Sequence, residues 1–239
     1  MKLIRFPDAG QRRLVFYLAM EEYVADVLGE GFFLWQVPPT VIFGRNQDME
    51  AEVNIPFCEE KGIACYRRKS GGGCVYADMG NLMISYITRT TDVSLAFRDY
   101  LEKLCEALRG LGLPAVSTTH NDVLVGDSKV SGNAFFARPE SGIVHGTLLY
   151  DVDFSMLARA ITPSREKLES HGIKSVRQRV ANLRDIGLTL SMEELRDYLV
   201  RFFCDGSLTL DAVQLARIEQ IENTYLDPKL LLGKSLKKR

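Results

Sequence analysis

Three β-rich segments follow one another in the middle of the chain with no helical segment between them. Asp122 to Val125 and Lys129 to Ala137 are separated by Gly-Asp-Ser, which indicates a hairpin, and Ile143 to Tyr150 is the next strand. Elsewhere strand and helix segments do not alternate strictly, as they do in doubly wound parallel folds. We therefore expect an α+β fold with mixed or antiparallel sheets flanked by helices.

Helical segments are expected on both sides of these strands. Apolar residues recur at helical spacing within 11–28 and within 92–111, and a capping box of Ser191 with Glu194 opens a later helix. Further elements are expected as strands over 32–37, 40–44, 63–67 and 81–89, and as helices over 57–61 and 211–223. With no internal repeat or long linker, the 239 residues are expected to form one domain, with a core of 1–190 and C-terminal helices in 191–224.

Composition excludes several classes of protein. A net charge of −1 and a pI near 6.3 argue against a general nucleic-acid binder, and the basic end KSLKKR is interpreted as a solvated terminus. No run of 18 apolar residues or signal-peptide pattern occurs, so no membrane partner is expected. Five cysteines without a C-x-x-C pair, and three distant histidines, indicate no zinc site. These features predict a reduced, cytoplasmic protein.

The segment from Arg67 to Asn81 reads RRKSGGGCVYADMGN. Three consecutive glycines are kept where the backbone takes unusual dihedral angles or approaches another group closely. Successive free N–H groups in such a turn form an anion site, and arginine adds a forked donor for phosphate or carboxylate. The pattern therefore fits a loop that binds an anion. A flexible surface loop with solvated charges is the alternative that this segment alone leaves open.

Three further residues are candidates for chemistry. Lys129 opens a strand of small and apolar residues and is suited to stabilise developing negative charge. Asp122 is a candidate ligand for Mg²⁺, and His145 lies between apolar residues and a glycine. The alternative roles are a solvated hairpin lysine, a turn carboxylate and a half-buried structural histidine. Walker A, dinucleotide G-x-G-x-x-G and G-x-S-x-G patterns are all missing, so another kind of scaffold must hold the anion.

The order of the motifs resembles lipoate–protein ligases, in the catalytic-domain family of biotin and lipoate ligases. The motifs are RRKSGGGCVYADMGN, then NDVLV, KVSGNA and HGTLL, with TVIFGRNQ upstream and GIKSVRQRVANL at 172–183 downstream. The resemblance covers about residues 1–190 well and the last helices loosely. It implies an α+β catalytic domain similar to that of class II aminoacyl-tRNA synthetases.

The resemblance also implies an activity. Enzymes of this family join lipoate to ATP and then pass the lipoyl group to a lysine of a lipoyl carrier domain, either an E2 subunit of a 2-oxoacid dehydrogenase or the H protein.

Lys129 matches the lysine that touches both the carboxyl group and the α-phosphate, and is the expected catalytic residue. Asn121 and Asp122 are expected to orient phosphates or Mg²⁺. The expected ATP-binding residues are Arg68, Gly73, Cys74, Val75, Tyr76 and Lys129. The expected lipoate-binding residues are Lys129, Arg68, Gly71, Gly72 and His145.

The chain departs from the family pattern in three places. Ala77 and Val144 stand where many relatives carry histidine. Many bacterial relatives continue into a C-terminal accessory domain near Tyr225, and we expect that domain to be absent here. Its absence leaves open whether a separate accessory protein is needed for adenylate formation, or whether the enzyme only transfers a preformed adenylate.

Other functions remain as alternatives. An octanoyl or lipoyl transferase of the same fold would need an activated cysteine, and none occurs between Gly110 and Lys129. A biotin ligase fits the KVSG and HGTLL contexts less well. A non-catalytic binder of lipoate or of the carrier domain is a rival from another class. The choice between lipoate and octanoate, the true acceptor and the oligomeric state are open.

Overall fold

Two sheets form the framework of the protein. The computed structural model describes residues 1–8, 10–162 and 180–233. Within these residues the larger sheet has eight strands in the order β11-β1-β2-β6-β10-β9-β8-β7, and the smaller has three in the order β4-β3-β5. The strands are β1 (Lys2–Arg5), β2 (Gly31–Trp35), β3 (Thr40–Phe43), β4 (Ala64–Arg67), β5 (Val75–Ala77), β6 (Asn81–Thr88), β7 (Ala115–Ser117), β8 (Asp122–Val125), β9 (Ser128–Ala137), β10 (Gly142–Leu149) and β11 (Gly206–Thr209).

Helices cover both faces of the larger sheet. They are α1 (Leu14–Tyr23), α2 (Met49–Glu52), α3 (Ile55–Lys61), α4 (Val93–Gly110), α5 (Phe154–Ala160), α6 (Met192–Phe203), α7 (Ala212–Tyr225) and α8 (Pro228–Leu232). A π-helical turn over Val24–Leu28 continues α1 and ends at Gly29, whose φ of 76° suits glycine. The predicted capping box of Ser191 with Glu194 is present at the start of α6.

The central strand β6 shows how the two faces are filled. Leu82, Ile84 and Tyr86 point into a core beneath α4 and α6, whereas Met83 and Ile87 point into a second core beneath α1 and α7. All five side chains are buried because successive residues of a strand face opposite sides of the sheet. A strand packed on both faces reads as a continuous apolar run, as 82–87 does apart from Ser85.

Close backbone contacts fix the loops that flank the strands of each sheet. A Cβ atom added at Gly44, just after β3, would lie 2.1 Å from the carbonyl oxygen of Gly72, so this approach requires glycine. A Cβ at Gly80, just before β6, would lie 1.9 Å from the carbonyl oxygen of Asp151. A Cβ added at Gly72 would lie 3.7 Å from the Cβ of Ala134 in β9, so the three-glycine segment lies where the two sheets meet.

The predicted fold class is confirmed, and so is the hairpin of β8 and β9, which pair antiparallel. The sequence reasoning did not anticipate β11, which pairs parallel to β1 and makes part of the C-terminal region a strand of the main sheet. Its sequence GSLT is short and polar and carries no strand signal. Positions 172–179 of the motif at 172–183 lie outside the described residues, and so does the basic end. No described helix is both long and apolar enough to cross a membrane.

Candidate active site

The first two cations of the glycine-loop motif are turned into the protein. Arg68 is buried, and its Nε and Nη2 donate to the carbonyl oxygen of Gly71 at 3.0 and 2.7 Å. Nη2 also donates to Gly73 O at 2.7 Å, and Nη1 donates to Ile42 O at 3.3 Å. Burial lowers the pKa of Arg68 to about 10, so the guanidinium remains charged at neutral pH. Arg68 therefore sets the shape of the loop and brings a positive charge beneath it.

Arg67 fixes the turn that faces the glycine loop. Its Nη1 donates to the carbonyl oxygens of Gly44, Arg45 and Gln47 at 3.3, 3.2 and 2.6 Å. Its guanidinium also lies 4.6 Å from the ring centre of Phe43. Because a planar guanidinium holds several carbonyls in one geometry, this turn is rigid.

Two acidic residues of α1 hold the other end of the cationic segment. The ammonium of Lys69 lies 2.7 Å from Glu22 Oε1, and Glu22 is also paired with Arg138. Its neighbour Glu21 lies 2.8 Å from His145 Nδ1. The Nε2 atom of His145 lies 2.8 Å from the hydroxyl of Ser70. The loop is thus tied to α1 and to β10.

The series of buried hydrogen bonds from Ser70 through His145 to Glu21 continues to two further residues. Ser85 donates to Glu21 Oε1 at 2.6 Å, and Trp35 Nε1 donates to Ser85 Oγ at 2.9 Å. A carboxylate only accepts, so His145 carries its Nδ1 hydrogen toward Glu21, and in the neutral ring Nε2 accepts from Ser70. Sequence reasoning missed Glu21 and Ser85. The signal was available, since acidic residues at the end of an otherwise apolar helical segment indicate buried partners.

Lys129 lies beside Asp122 on the β8–β9 hairpin. Its Nζ is 2.8 Å from Asp122 Oδ1, and the two side chains are 36% and 26% exposed. The ammonium lies directly over Gly132, where an added Cβ would come within 2.9 Å of Nζ. The pairing of β8 with β9 is irregular between Val123 and Leu124, which places Asp122 opposite Gly132. Lys129 and Asp122, both predicted site residues, are therefore in contact.

Asn121 precedes this pair in a left-handed backbone conformation with φ of 63°. Its carbonyl oxygen accepts a hydrogen bond of 2.8 Å from Asn133 Nδ2. Asn133 lies close to Gly146, where a Cβ would clash with its Oδ1. Asn133 belongs to the KVSGNA motif but had no assigned role, and it holds the turn that positions Asp122.

The glycine loop and Lys129 meet along β9. Gly72 has φ of 89°, and a Cβ built on it would lie 3.7 Å from the Cβ of Ala134. Ala134 is paired with His145, and Gly132 is two residues earlier on the same strand. Around Gly71 no atom lies within 4 Å of an added Cβ. The structure thus brings together the glycine loop, His145 and Lys129, and leaves free space beside Gly71.

The strand after the glycines forms the other side of the site. Val75 and Tyr76 pair with β3, and β5 is one of the two edge strands of the smaller sheet within the described residues. The side chain of Tyr76 is buried in the core beneath α3 and α5. Burial raises the pKa of the Cys74 thiol to about 12, so it is protonated and a poor nucleophile at neutral pH. The groups that β5 can offer to a ligand at this sheet edge are therefore its backbone N–H and C=O groups.

The site has few groups that suit a metal. The described residues contain no cluster of three or more His, Cys, Asp or Glu that could hold an ion. Asp122 is a single carboxylate and already faces an ammonium. Mg²⁺ is commonly held by one or two carboxylates together with substrate phosphates. These residues therefore fit a Mg²⁺ ion only if the phosphates of a bound substrate supply its other ligands.

Comparison with known proteins identifies the family. A model of the lipoyl protein ligase A/B catalytic domain matches residues 14–204. The chain belongs to this family. The lipoate-protein ligase LplJ of Bacillus subtilis is 40% identical over 189 residues, which are 77% of this chain and 57% of that protein. Lipoate–protein ligase 1 of Staphylococcus aureus is 39% identical over 77% of this chain and 58% of its own length. The chain thus spans less than two thirds of these curated relatives.

Solved structures agree with this assignment over nearly the whole chain. A putative lipoate protein ligase of Thermoplasma acidophilum with bound lipoic acid superimposes with a TM-score of 0.83 at 25% identity, covering 98% of this chain and 99% of that one. A bipartite lipoate protein ligase, studied with its E2 lipoyl domain from the same organism, has a TM-score of 0.84 at 28% identity and covers 97% and 96%. A lipoate-protein ligase A bound with ATP has a TM-score of 0.83 at 25% identity and covers 97% and 98%. These neighbours match this chain in extent as well as in fold.

Proposed function

We propose that this protein is a lipoate–protein ligase that activates lipoate with ATP and transfers the lipoyl group to a lysine of a lipoyl carrier domain. The observation that carries the proposal is the arrangement of Lys129 beside a glycine loop that is backed by buried arginines. Lipoate and ATP both present anions, and family relatives of similar extent are described with lipoic acid and with ATP. A cationic site at a sheet junction is suited to hold both.

The chemical problem is the repulsion between a carboxylate and the α-phosphate. Lys129, with its side chain 36% exposed, is free to leave Asp122 for a ligand, since an ion pair this exposed contributes little energy. Its ammonium then offsets the negative charge that develops at phosphorus. The carboxylate oxygen attacks the α-phosphorus, and the bond to the β-phosphate oxygen breaks. The products are lipoyl-AMP and pyrophosphate.

The acyl chain needs an apolar cavity with a polar end. The free space beside Gly71 and the covered ring of His145 suit such a cavity. The chain of hydrogen bonds from Glu21 through His145 to Ser70 holds the end of the loop, so the carboxylate is positioned by a rigid wall. Gly72 leaves no side chain between the ligand and Arg68.

The nucleotide is proposed to lie along the start of β5. Gly73, Cys74 and Val75 offer backbone groups at the free edge of the smaller sheet, which fits recognition of a base by the main chain. Arg68 acts through the loop that it shapes. Asp122 would hold a Mg²⁺ brought in by the phosphates, and that ion would neutralise phosphate charge.

The acceptor is proposed to be the lysine of a lipoyl domain, as in E2 subunits and the H protein. A structural neighbour is a bipartite ligase studied with its E2 lipoyl domain. That neighbour is described as bipartite, and by this likeness a separate accessory protein for adenylate formation is part of the proposal. The free cysteines at 58, 65, 74, 105 and 204 fit the reducing conditions of the cytoplasm.

The main rival is an acyl transferase that forms a thioester with cysteine. The nearest thiol to the loop, that of Cys74, has a raised pKa because it is buried. A thioester-forming cysteine needs the opposite, an activated thiolate. This observation favours the ATP-dependent ligase.

The proposal is tested with the full chain in two assays. Lipoate-dependent exchange of labelled pyrophosphate into ATP reports adenylate formation, first by the protein alone and then with a candidate accessory protein. Transfer is measured from synthetic lipoyl-AMP to an isolated lipoyl domain. Exchange and transfer are both expected. Incorporation from an octanoyl carrier without ATP, or no transfer from lipoyl-AMP, would reject the ligase.

A further inference from the structure

Arg45 is a cation at the candidate site that the motif analysis did not assign to a role. It lies at the exposed tip of the turn that follows β3, where Gln47 N donates to Gly44 O at 3.0 Å. Within residues 1–8, 10–162 and 180–233 its side chain makes no hydrogen bond, ion pair or ring contact. Its backbone N–H donates to the carbonyl oxygen of Ser70 at 2.9 Å. The backbone of Arg45 is thus held at the start of the glycine loop, and its guanidinium has no partner among the described residues.

The backbone of this turn is unusually well fixed for an exposed segment. Arg67 is only 2% exposed and holds the carbonyl oxygens of Gly44, Arg45 and Gln47 with one Nη1 atom. Gly44 is pressed against Gly72 so closely that no side chain fits. The buried Arg67 therefore fixes the backbone from which the exposed Arg45 side chain extends. A side chain on a fixed backbone is suited to bind a ligand.

Positive charge around the turn is not offset by direct ion pairs. Arg67 and Arg68 donate to carbonyl oxygens, and neither is paired with a carboxylate in the part of the chain that the structure describes. Asp48 acts on the charge of Arg67 without being paired with it, and its Oδ1 accepts from the N–H of Glu50 at the start of α2. Buried cations without a paired acid favour an anion at the adjoining surface.

The turn that carries Arg45 and the strand that carries Lys129 both contact the glycine loop. Gly44, next to Arg45, contacts Gly72, and Gly72 approaches Ala134 of the Lys129 strand. A nucleotide whose α-phosphate lies at Lys129 can therefore extend its remaining phosphates along the glycines toward the turn of Arg45. We propose that Arg45 binds the β- and γ-phosphates of ATP and stabilises the pyrophosphate that leaves. This inference rests on the proposed ligase function.

The two half-reactions use this residue differently. In the first, the bond between the α-phosphorus and the bridging oxygen breaks, and the electron pair passes to pyrophosphate, whose charge a guanidinium stabilises. In the second, the acceptor amine attacks lipoyl-AMP and AMP leaves, so no β-phosphate is present. Arg45 therefore serves adenylate formation and not transfer.

The experiment compares Arg45→Ala and Arg45→Lys with Arg201→Ala, which removes an exposed arginine from α6. Hydrogen bonds to charged groups contribute about 1.5–3 kcal/mol, so Arg45→Ala is expected to lower kcat/KM for ATP by roughly 10- to 100-fold. Arg45→Lys should recover part of this loss, and Arg201→Ala should have none. Transfer from synthetic lipoyl-AMP should be unchanged in all three. Equal losses in both half-reactions, or no loss in either, would overturn the proposal.

A binding measurement separates this inference from the proposed function. Calorimetry of pyrophosphate with the full chain needs no catalysis, and Arg45→Ala should weaken that binding by roughly tenfold or more while AMP binding stays constant. If wild-type protein exchanges no pyrophosphate even with a candidate accessory protein, yet binds it through Arg45, the adenylation function fails and the phosphate site stands. If wild type and Arg45→Ala bind pyrophosphate equally, the phosphate site is wrong.

Discussion

At the scale of residues, neighbouring cations in one motif have different roles. Arg67 and Arg68 hold carbonyl oxygens of the turn and of the glycine loop, and Lys69 is paired with the buried Glu22. Lys129 is half-exposed and has one exchangeable partner, while Arg45 has none among the described residues. The buried cations build the site, and the accessible ones are left to meet the ligands.

Replacing Lys129 by alanine should abolish chemistry without unfolding the protein. We expect Lys129→Ala to form no adenylate and to transfer no lipoyl group, because the same ammonium serves both steps. Its ion pair with Asp122 is partly exposed, so the free energy of unfolding should change by about 1 kcal/mol or less. Pyrophosphate exchange and thermal unfolding measure the two effects.

The matched control is Lys61→Ala, which removes a lysine paired with Glu60 at the same 2.8 Å on α3. It should leave both half-reactions intact. Normal exchange by Lys129→Ala would contradict the assignment of the catalytic lysine.

Glu21 is predicted to be important for stability. Glu21→Ala would leave His145 and Ser85 without their buried acceptor, at an expected cost of about 3 kcal/mol in urea unfolding. Glu21→Gln keeps an acceptor of the same shape and should cost less, and Glu102→Ala on the exposed face of α4 should cost little. Equal stability of Glu21→Ala and Glu102→Ala would show that the polar chain contributes nothing.

At the scale of elements, the site exists because two sheets approach through glycine. The β8–β9 hairpin of the larger sheet carries Lys129 over Gly132, and β3 of the smaller sheet brings Gly44 against the loop. Helix α1 supplies the acids that anchor the loop from the opposite face. Each element is ordinary by itself, and the candidate site forms only where their ends converge.

Two glycine substitutions should separate these contributions. At Gly132 an added methyl meets the flexible end of Lys129, 2.9 Å away, so Gly132→Ala should displace the ammonium and lower adenylation while unfolding is little changed. At Gly44 the methyl meets the backbone oxygen of Gly72 at 2.1 Å, so Gly44→Ala should destabilise the fold itself. Thermal unfolding and pyrophosphate exchange on both variants test this. A larger loss of stability in Gly132→Ala than in Gly44→Ala would be inconsistent with the structure.

At the scale of the whole molecule, the C-terminal helices contact the motif that precedes the glycines. Arg67 Nε donates to the carbonyl oxygen of Leu231 in α8 at 3.1 Å. Lys69 donates to Thr224 Oγ1 at 3.0 Å and lies 4.3 Å from the ring centre of Tyr225, both at the end of α7. Residues more than 150 positions apart in the chain therefore stabilise one loop.

Removing residues 227–239 should weaken this loop. The deletion takes the Leu231 carbonyl away from a buried guanidinium, a loss of about 2 kcal/mol, which lowers Tm by roughly 4–8 °C in a chain of this size. Adenylation should fall with it. Deleting only 234–239, the basic end, is the control and should change neither quantity. Identical Tm values for the two deletions would exclude a contribution from α8.

Much of the fold follows from local pattern. The hairpin around Gly126, the helix over 93–110 and the capping box at Ser191 are set by turn residues, apolar spacing and side-chain caps, which act between near neighbours. The parallel pairing of β11 with β1 joins segments some 200 residues apart with no local signal. Such pairing depends on the assembled core, so no window of sequence contains it.

The sequence by itself determined the family and the fold class, because several motifs in a fixed order resemble one family, and it contained the motifs that carry the candidate chemistry. Only the tertiary structure decided which way each charged side chain points. Arg67 and Arg68 turn inward, Glu21 reaches His145, and Arg45 has no partner among the residues that the structure describes. The direction of a side chain depends on partners brought from distant strands and helices, and those partners are defined only when the two sheets have packed together.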